Sequence, residues 1–81
     1  MKNINVPAAA IEAAFQVVKD KNISRTDLAV TWSCKTLQNW KAMVAVLVPD
    51  GGYIEVTHNG DTKETYVDHY KKMNHVVLAD A

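Results

Sequence analysis

A single cysteine, Cys34, excludes an internal disulfide and any cysteine-rich zinc site, so neither can reinforce a small core. That usage fits a reducing cytoplasm. An excess of one charge is also missing. Nine basic and nine acidic side chains give a formal net charge of zero, which argues against a polybasic nucleic-acid coat or an acidic tail acting through the whole molecule. Any charged surface must be local. Long apolar runs are absent: the longest, Ala42 to Val48, is seven residues, against the roughly 20 a membrane-spanning helix needs. Asn3, Asn5, Pro7, Glu12 and Gln16 interrupt the N-terminal apolar stretch too often for a secretory segment. The expectation is a soluble chain with no targeting segment and no membrane association. Length adds a last exclusion. A chain of 81 residues buries only roughly 60–65% of its unfolded surface, so residues 1–81 should form one domain with a thin core and no deep substrate cleft.

What is present starts with a helix. Over residues 7–21, Ile11, Ala14, Phe15 and Val18 recur at helical spacing while Glu12, Gln16, Lys19 and Asp20 lie off that stripe. Asn5 can cap the start, Pro7 suits a first turn, and Lys19 and Lys21 suit the negative end of the helix dipole. Residues 24–48 satisfy two templates. As strands, Leu28, Val30 and Trp32 alternate before a polar turn over 34–39, and Trp40, Ala42, Val44, Val46 and Val48 alternate after it. As helices, Ser24 or Thr26 caps a segment through Trp32, and Ser33 caps a second carrying Leu37, Trp40, Val44 and Leu47. The valines favour a strand for 42–48, with the preceding segment open. From Tyr53 onward, His58-Asn59-Gly60-Asp61 is a hairpin turn between two β-prone runs. A two-residue loop there sets Glu55 opposite Glu64, and a three-residue loop with Gly60 left-handed sets it opposite Lys63, the electrostatically better register. His75 to Ala79 is a short apolar tail that could add a further strand or pack over the core edge. The architecture expected is α+β, an N-terminal helix packed on an antiparallel β-meander.

Chemistry-bearing patterns are sparse. His58 with Asp61, and Asp68-His69 with His75, have no metal-ligand spacing, and no HxxxH or HExxH occurs. No metal, cofactor or small-molecule substrate is expected. Ser33 and Cys34 lack a nucleophile signature, and a lone cysteine between apolar segments is commonly a small core residue. Pro49-Asp50-Gly51-Gly52 is a turn without the lysine and helix of a P-loop. The chain is therefore expected not to be an enzyme.

Charge is unevenly distributed along the sequence. Residues 1–41 carry Lys2, Lys19, Lys21, Arg25, Lys35 and Lys41 against Glu12, Asp20 and Asp27, a net +3. Residues 42–81 carry Lys63, Lys71 and Lys72 against Asp50, Glu55, Asp61, Glu64, Asp68 and Asp80, a net −3. Two resemblances follow from particular segments. The run from Thr26 to Lys41, with Leu28, Ala29 and Trp32 as first-helix core, resembles a helix-turn-helix, with the Tyr53 to Val67 hairpin as a wing. That resemblance implies a winged helix-turn-helix fold, the alternative architecture, with Arg25, Lys35, Gln38, Asn39 and Lys41 reading DNA. The turn is about two residues short and lacks the usual glycine. The segments TLQNWKA, VPDGGYIEV, HNGD and ETYVDHYKK of residues 35–72 also resemble short accessory proteins of tailed bacteriophages. That implies a bacterial or phage cytoplasm and a protein that binds and modulates a larger host macromolecule. The leading expectation is a non-enzymatic interaction protein, such as an inhibitor, that meets a protein partner through Tyr53, Glu55, Glu64, Tyr66, Asp68 and Tyr70. Tyrosines supply large contact area at low entropy cost. Binding of DNA is the alternative, and an exposed edge strand would permit a homodimer.

Overall fold

The computed structural model describes residues 5–71 and Leu78. The first element is a helix, α1 (Val6–Val18). Asn5 caps it as its sequence suggests: the side-chain oxygen accepts a 3.1 Å hydrogen bond from the Ala8 N–H, and Pro7 occupies the first turn, where its missing N–H is harmless. After Val18 the chain tightens into one 3-10 turn, Lys19–Lys21, and leaves it through Asn22 in the left-handed region at φ 60°. Val6, Ala10, Ala14 and Val18 form the buried stripe of α1. Ile11 and Phe15 pack beside it, partly buried.

Four strands follow, β1 (Leu28–Thr36), β2 (Asn39–Val46), β3 (Tyr53–Asn59) and β4 (Glu64–Tyr70). They form one antiparallel sheet in sequence order, a meander. The α+β architecture of one helix on this sheet is what the sequence suggests. The alternative does not survive. Residues 28–36 and 39–46 are strands, so neither helix of a helix-turn-helix exists among the described residues. Ser24 begins only a three-residue 3-10 turn, Arg25–Asp27, with its backbone N–H held 3.0 Å from Asp27 Oδ2. β-branched and aromatic residues then take over, and pairing along β2 is worth more than a short solvent-exposed helix.

Three details depart from the sequence reading. First, Val30 pairs with Val44 while Trp32 pairs with Met43, so Thr31 is an extra residue and β1 carries a bulge. Leu28 and Val30 turn to the helix, but Trp32 turns away. Second, Asn59 pairs with Glu64, which makes the β3–β4 loop four residues long. The left-handed residue is Lys63 at φ 59°, not Gly60, and Glu55 lies opposite Asp68 rather than Glu64 or Lys63. Third, the β1–β2 turn is Leu37-Gln38 alone, with Leu37 left-handed at φ 55° and 79% exposed. Apart from Leu78, the strand expected over 75–79 falls outside the described residues, as do Lys2, Lys72 and His75.

The core lies between α1 and one face of the sheet. Leu28, Trp40, Ala42, Val44, Val46, Ile54 and Val56 meet the helix stripe there. Ala10, Ala14 and Ala42 are fully buried, and side chains this small let the helix backbone come close to the strands. Ile54, Val18, Val44 and Val56 are the largest fully buried side chains, each stabilising by about 1.5–3 kcal/mol. At one end of the sheet Gly52 sits at φ 71°, where a Cβ would strike the Tyr70 carbonyl oxygen. No helix among the described residues is long and apolar enough to cross a membrane.

Candidate functional site

Strand residues two apart point to one face, and partners across an antiparallel ladder share that face. The register therefore sorts the sheet into rows. Opposite the helix lie Ala29, Ala45, Tyr53 and Tyr70 in one row, then Trp32, Met43, Glu55 and Asp68, then Cys34, Lys41, Thr57 and Tyr66. Asn39 and Glu64 end the face beside Thr36 and Asn59. Tyr53, Glu55, Glu64, Tyr66, Asp68 and Tyr70, scattered over 18 positions of sequence, thus share the helix-free face.

Its aromatic groups remain in solvent. Trp32 is 51% exposed, Tyr66 48%, Tyr53 44% and Tyr70 43%. The Tyr53 and Tyr70 rings stack with centroids 5.1 Å apart. Lys41 Nζ crosses from β2 to Glu55 Oε1 at 3.2 Å, and the Tyr66 hydroxyl donates to Glu64 Oε1 at 3.2 Å. These contacts set the electrostatics. The Glu64 carboxylate holds the Tyr66 hydroxyl above the ordinary tyrosine range, mainly because ionisation would lose that hydrogen bond. Asp68 and then Glu55 raise that of Tyr70 through their negative field, with Lys41 acting in the opposite sense.

The five side chains suggested for DNA do not form one basic surface. Arg25 reaches back to α1, with Nε 2.6 Å from Glu12 Oε1, Nη2 3.0 Å from Oε2, and its guanidinium 4.1 Å above the Phe15 ring. Lys35 Nζ donates to the Leu37 carbonyl at 2.6 Å. Gln38 donates through Nε2 to Asp61 Oδ1, and Asn39 Oδ1 accepts the Gly60 N–H at 2.8 Å. Only Lys41 stands on the helix-free face as a cation, and Glu55 pairs with it. Gln38 and Asn39 instead tie the β1–β2 turn to the β3–β4 turn. Gly60 permits that contact, since a Cβ there would meet the Gln38 carbonyl oxygen.

A groove of about 410 Å³ runs along the turn end of the sheet, lined by residues including Trp32, Cys34, Asn39, Lys41, His58 and Asp61. Cys34 is exposed rather than a core residue, because it follows the bulge on the part of β1 that extends past the core. His58 stacks on Trp40 at 5.4 Å and its Nδ1 lies 2.8 Å from Thr65 Oγ1. The His69 Nε2 lies 2.7 Å from the Gly51 carbonyl oxygen. Among the described residues no three histidine, cysteine or acidic side chains gather closely enough to hold a metal ion.

The profile of a family of unknown function, DUF6275, matches residues 4–80. The chain belongs to this family. Searches of curated proteins and of solved structures found no match. For this DUF6275 chain, function must therefore be argued from the surface itself. The sequence reading missed Trp32 and Met43 as members of that surface. Met43 was legible, since it alternates with Ala42 and Val44 on β2. Trp32 was not, because strict alternation from Leu28 assigns it to the core and nothing in the local sequence marks Thr31 as an insertion.

Proposed function

We propose that this chain is a small non-enzymatic interaction protein that docks a larger protein partner through the helix-free face of its sheet, in a bacterial or phage cytoplasm. The observation that carries this reading is the gathering of four aromatic side chains, Trp32, Tyr53, Tyr66 and Tyr70, each 43–51% exposed, on one face. Tyrosine and tryptophan concentrate at recognition surfaces because they combine apolar area with a polar tip. Of the four, only Trp32 lines the groove at the turn end of the sheet, so the aromatic surface extends well beyond what a single small-molecule pocket would use. Nucleic acid as the alternative loses support from the engagement of Arg25, Lys35, Gln38, Asn39 and Lys41 in contacts within the chain.

The test is affinity capture from bacterial lysate with immobilised wild-type protein and with the Trp32→Ser/Tyr66→Ser variant, whose folding is verified by circular dichroism. A stoichiometric protein held by the wild type and lost by the variant supports the reading. Equal retention by the variant overturns the surface, and recovery of no stoichiometric protein counts against docking altogether.

A further inference from the structure

The half of this face formed by β3 and β4 has a spacing of its own. Glu64, Tyr66, Asp68 and Tyr70 follow one another at every second residue of β4, so carboxylate and ring alternate along one face at about 6.8 Å per step. Tyr53 lies beside Tyr70 and Glu55 beside Asp68 on β3. Two carboxylates directly opposite each other across a ladder repel, and Lys41 engages only the Glu55 side of that pair. Among the described residues neither Asp68 nor Glu64 has an ion-pair partner within 4.0 Å. Lys63 and Lys71 stand at the two ends of β4, outside the strand. A cation arriving over Asp68 would relieve the Glu55–Asp68 repulsion and find a tyrosine ring on either side.

We propose that the Glu64–Tyr66–Asp68–Tyr70 ladder, with Tyr53 and Glu55 beside it, receives an extended basic segment of a protein partner that presents arginine or lysine at every second residue. The proposal rests on the docking reading above and names the partner's chemistry. An extended segment laid along β4 repeats its same-face side chains at the strand's own period, so successive cations meet carboxylate and tyrosine ring in turn. A helix cannot keep that match, because its neighbouring same-face side chains recur at three and four residues, about 5–6 Å apart. Guanidinium suits both components of the ladder: its planar fork pairs with a carboxylate and its face stacks on an aromatic ring. Phosphate is repelled by the same carboxylates, so nucleic acid is the wrong occupant. Asp68 and then Glu55 raise the Tyr70 hydroxyl above its ordinary range through their charge, the same field that a cation would meet.

The test titrates isotopically labelled full-length protein with three nine-residue peptides and follows backbone amide shifts. One alternates arginine with threonine, one has the same composition with its arginines contiguous, and one replaces each arginine by glutamate. The alternating peptide is expected to shift β3 and β4 resonances, with affinity weakened at least about tenfold in the Glu64→Gln/Asp68→Asn variant and reduced by added salt. The contiguous peptide should bind several-fold more weakly and the glutamate peptide not at all. The variant's amide spectrum away from β4 shows whether it remains folded. Absence of shifts at low salt, undiminished affinity in the variant, equal binding of the contiguous peptide, or binding of duplex DNA to this face would each overturn the proposal. A captured partner that depends on Trp32 and Tyr66 but lays no basic segment on β4 sinks the basic-segment proposal and leaves docking intact. Capture that ignores both residues sinks docking first.

Discussion

The two faces of the sheet are made by the same four strands, residue alternating with residue, and they carry different side chains. The helix side holds Ala42, Val44, Ile54 and Val56, all fully buried. The other side holds Trp32, Tyr53, Tyr66 and Tyr70, each about half exposed, with Lys41, Glu55, Glu64 and Asp68 among them. Aliphatic side chains are expended on packing, where small volumes and stiff rotamers allow α1 to lie close. Apart from Trp40, which belongs to the core, the aromatic side chains of the sheet and the charged ones named with them are placed where they add little to it. The contrast shows that this chain's stability and its recognition capacity are built on separate parities of the same strands.

The bulge is where this separation is most easily broken. Inserting one residue between Met43 and Val44 would give Thr31 a partner and restore strict alternation in β1, so that either Trp32 enters the core or Leu28 and Val30 leave it. Expelling two such side chains forfeits about 3–5 kcal/mol, and urea unfolding should show a loss larger than any single substitution on the helix-free face. An insertion that leaves stability unchanged would mean that the bulge does not separate the faces. Ile54→Ala comes next, with an expected loss of about 2–5 kcal/mol from the removed packing and the cavity left behind. The helix-free face should behave differently: Trp32→Ser is expected to change stability by about 1 kcal/mol or less. Tyr53→Ser should lose up to about 1.5 kcal/mol because it breaks the stack on Tyr70. If either matches Ile54→Ala, the division fails.

The smallest effect belongs to neither face. The Arg25 side-chain hydrogen bond, aided by its charge, holds Glu12 below the ordinary carboxylate range. A depressed folded-state value stabilises the chain above the ordinary range, and that contribution is lost as pH falls through the lowered value. Both groups are exposed, so solvent keeps the effect small. Glu12→Gln should lower the melting temperature slightly at neutral pH, and the gap from wild type should close on acidification. A gap that persists at low pH would assign the loss to packing rather than to charge.

Much of the fold was legible where local chemistry and tertiary need agree. Asn5, Pro7 and the alanines announce α1, and β2 reads correctly through Val46, because Trp40, Ala42, Val44 and Val46 alternate against one helix face, although the strand stops short of the expected Val48. The six residues singled out for a partner fall on one face because alternating positions of β3 and β4 share a parity that the register preserves. Reading failed where a contact distant in sequence overrides a local preference. Gly60 looks like the left-handed residue of a hairpin, yet its missing side chain is needed for the approach of Gln38, and Lys63 takes the left-handed position instead. Arg25, Lys35, Gln38 and Asn39 look available for a ligand until their partners, Glu12, the Leu37 carbonyl, Asp61 and Gly60, are brought beside them by folding.

By itself the sequence determined that this chain has one amphipathic helix, β-prone runs with an aliphatic parity, and a net charge of zero composed of a basic and an acidic half. These are properties of composition and period, which need no knowledge of neighbours. Only the tertiary structure decided which parity faces solvent beyond Val30, which residues close the hairpins, and which charges remain unpaired among the described residues. A one-residue insertion reverses every later side chain of a strand, and pairing partners are chosen by the strand alongside. The acidic, aromatic face is therefore a product of register.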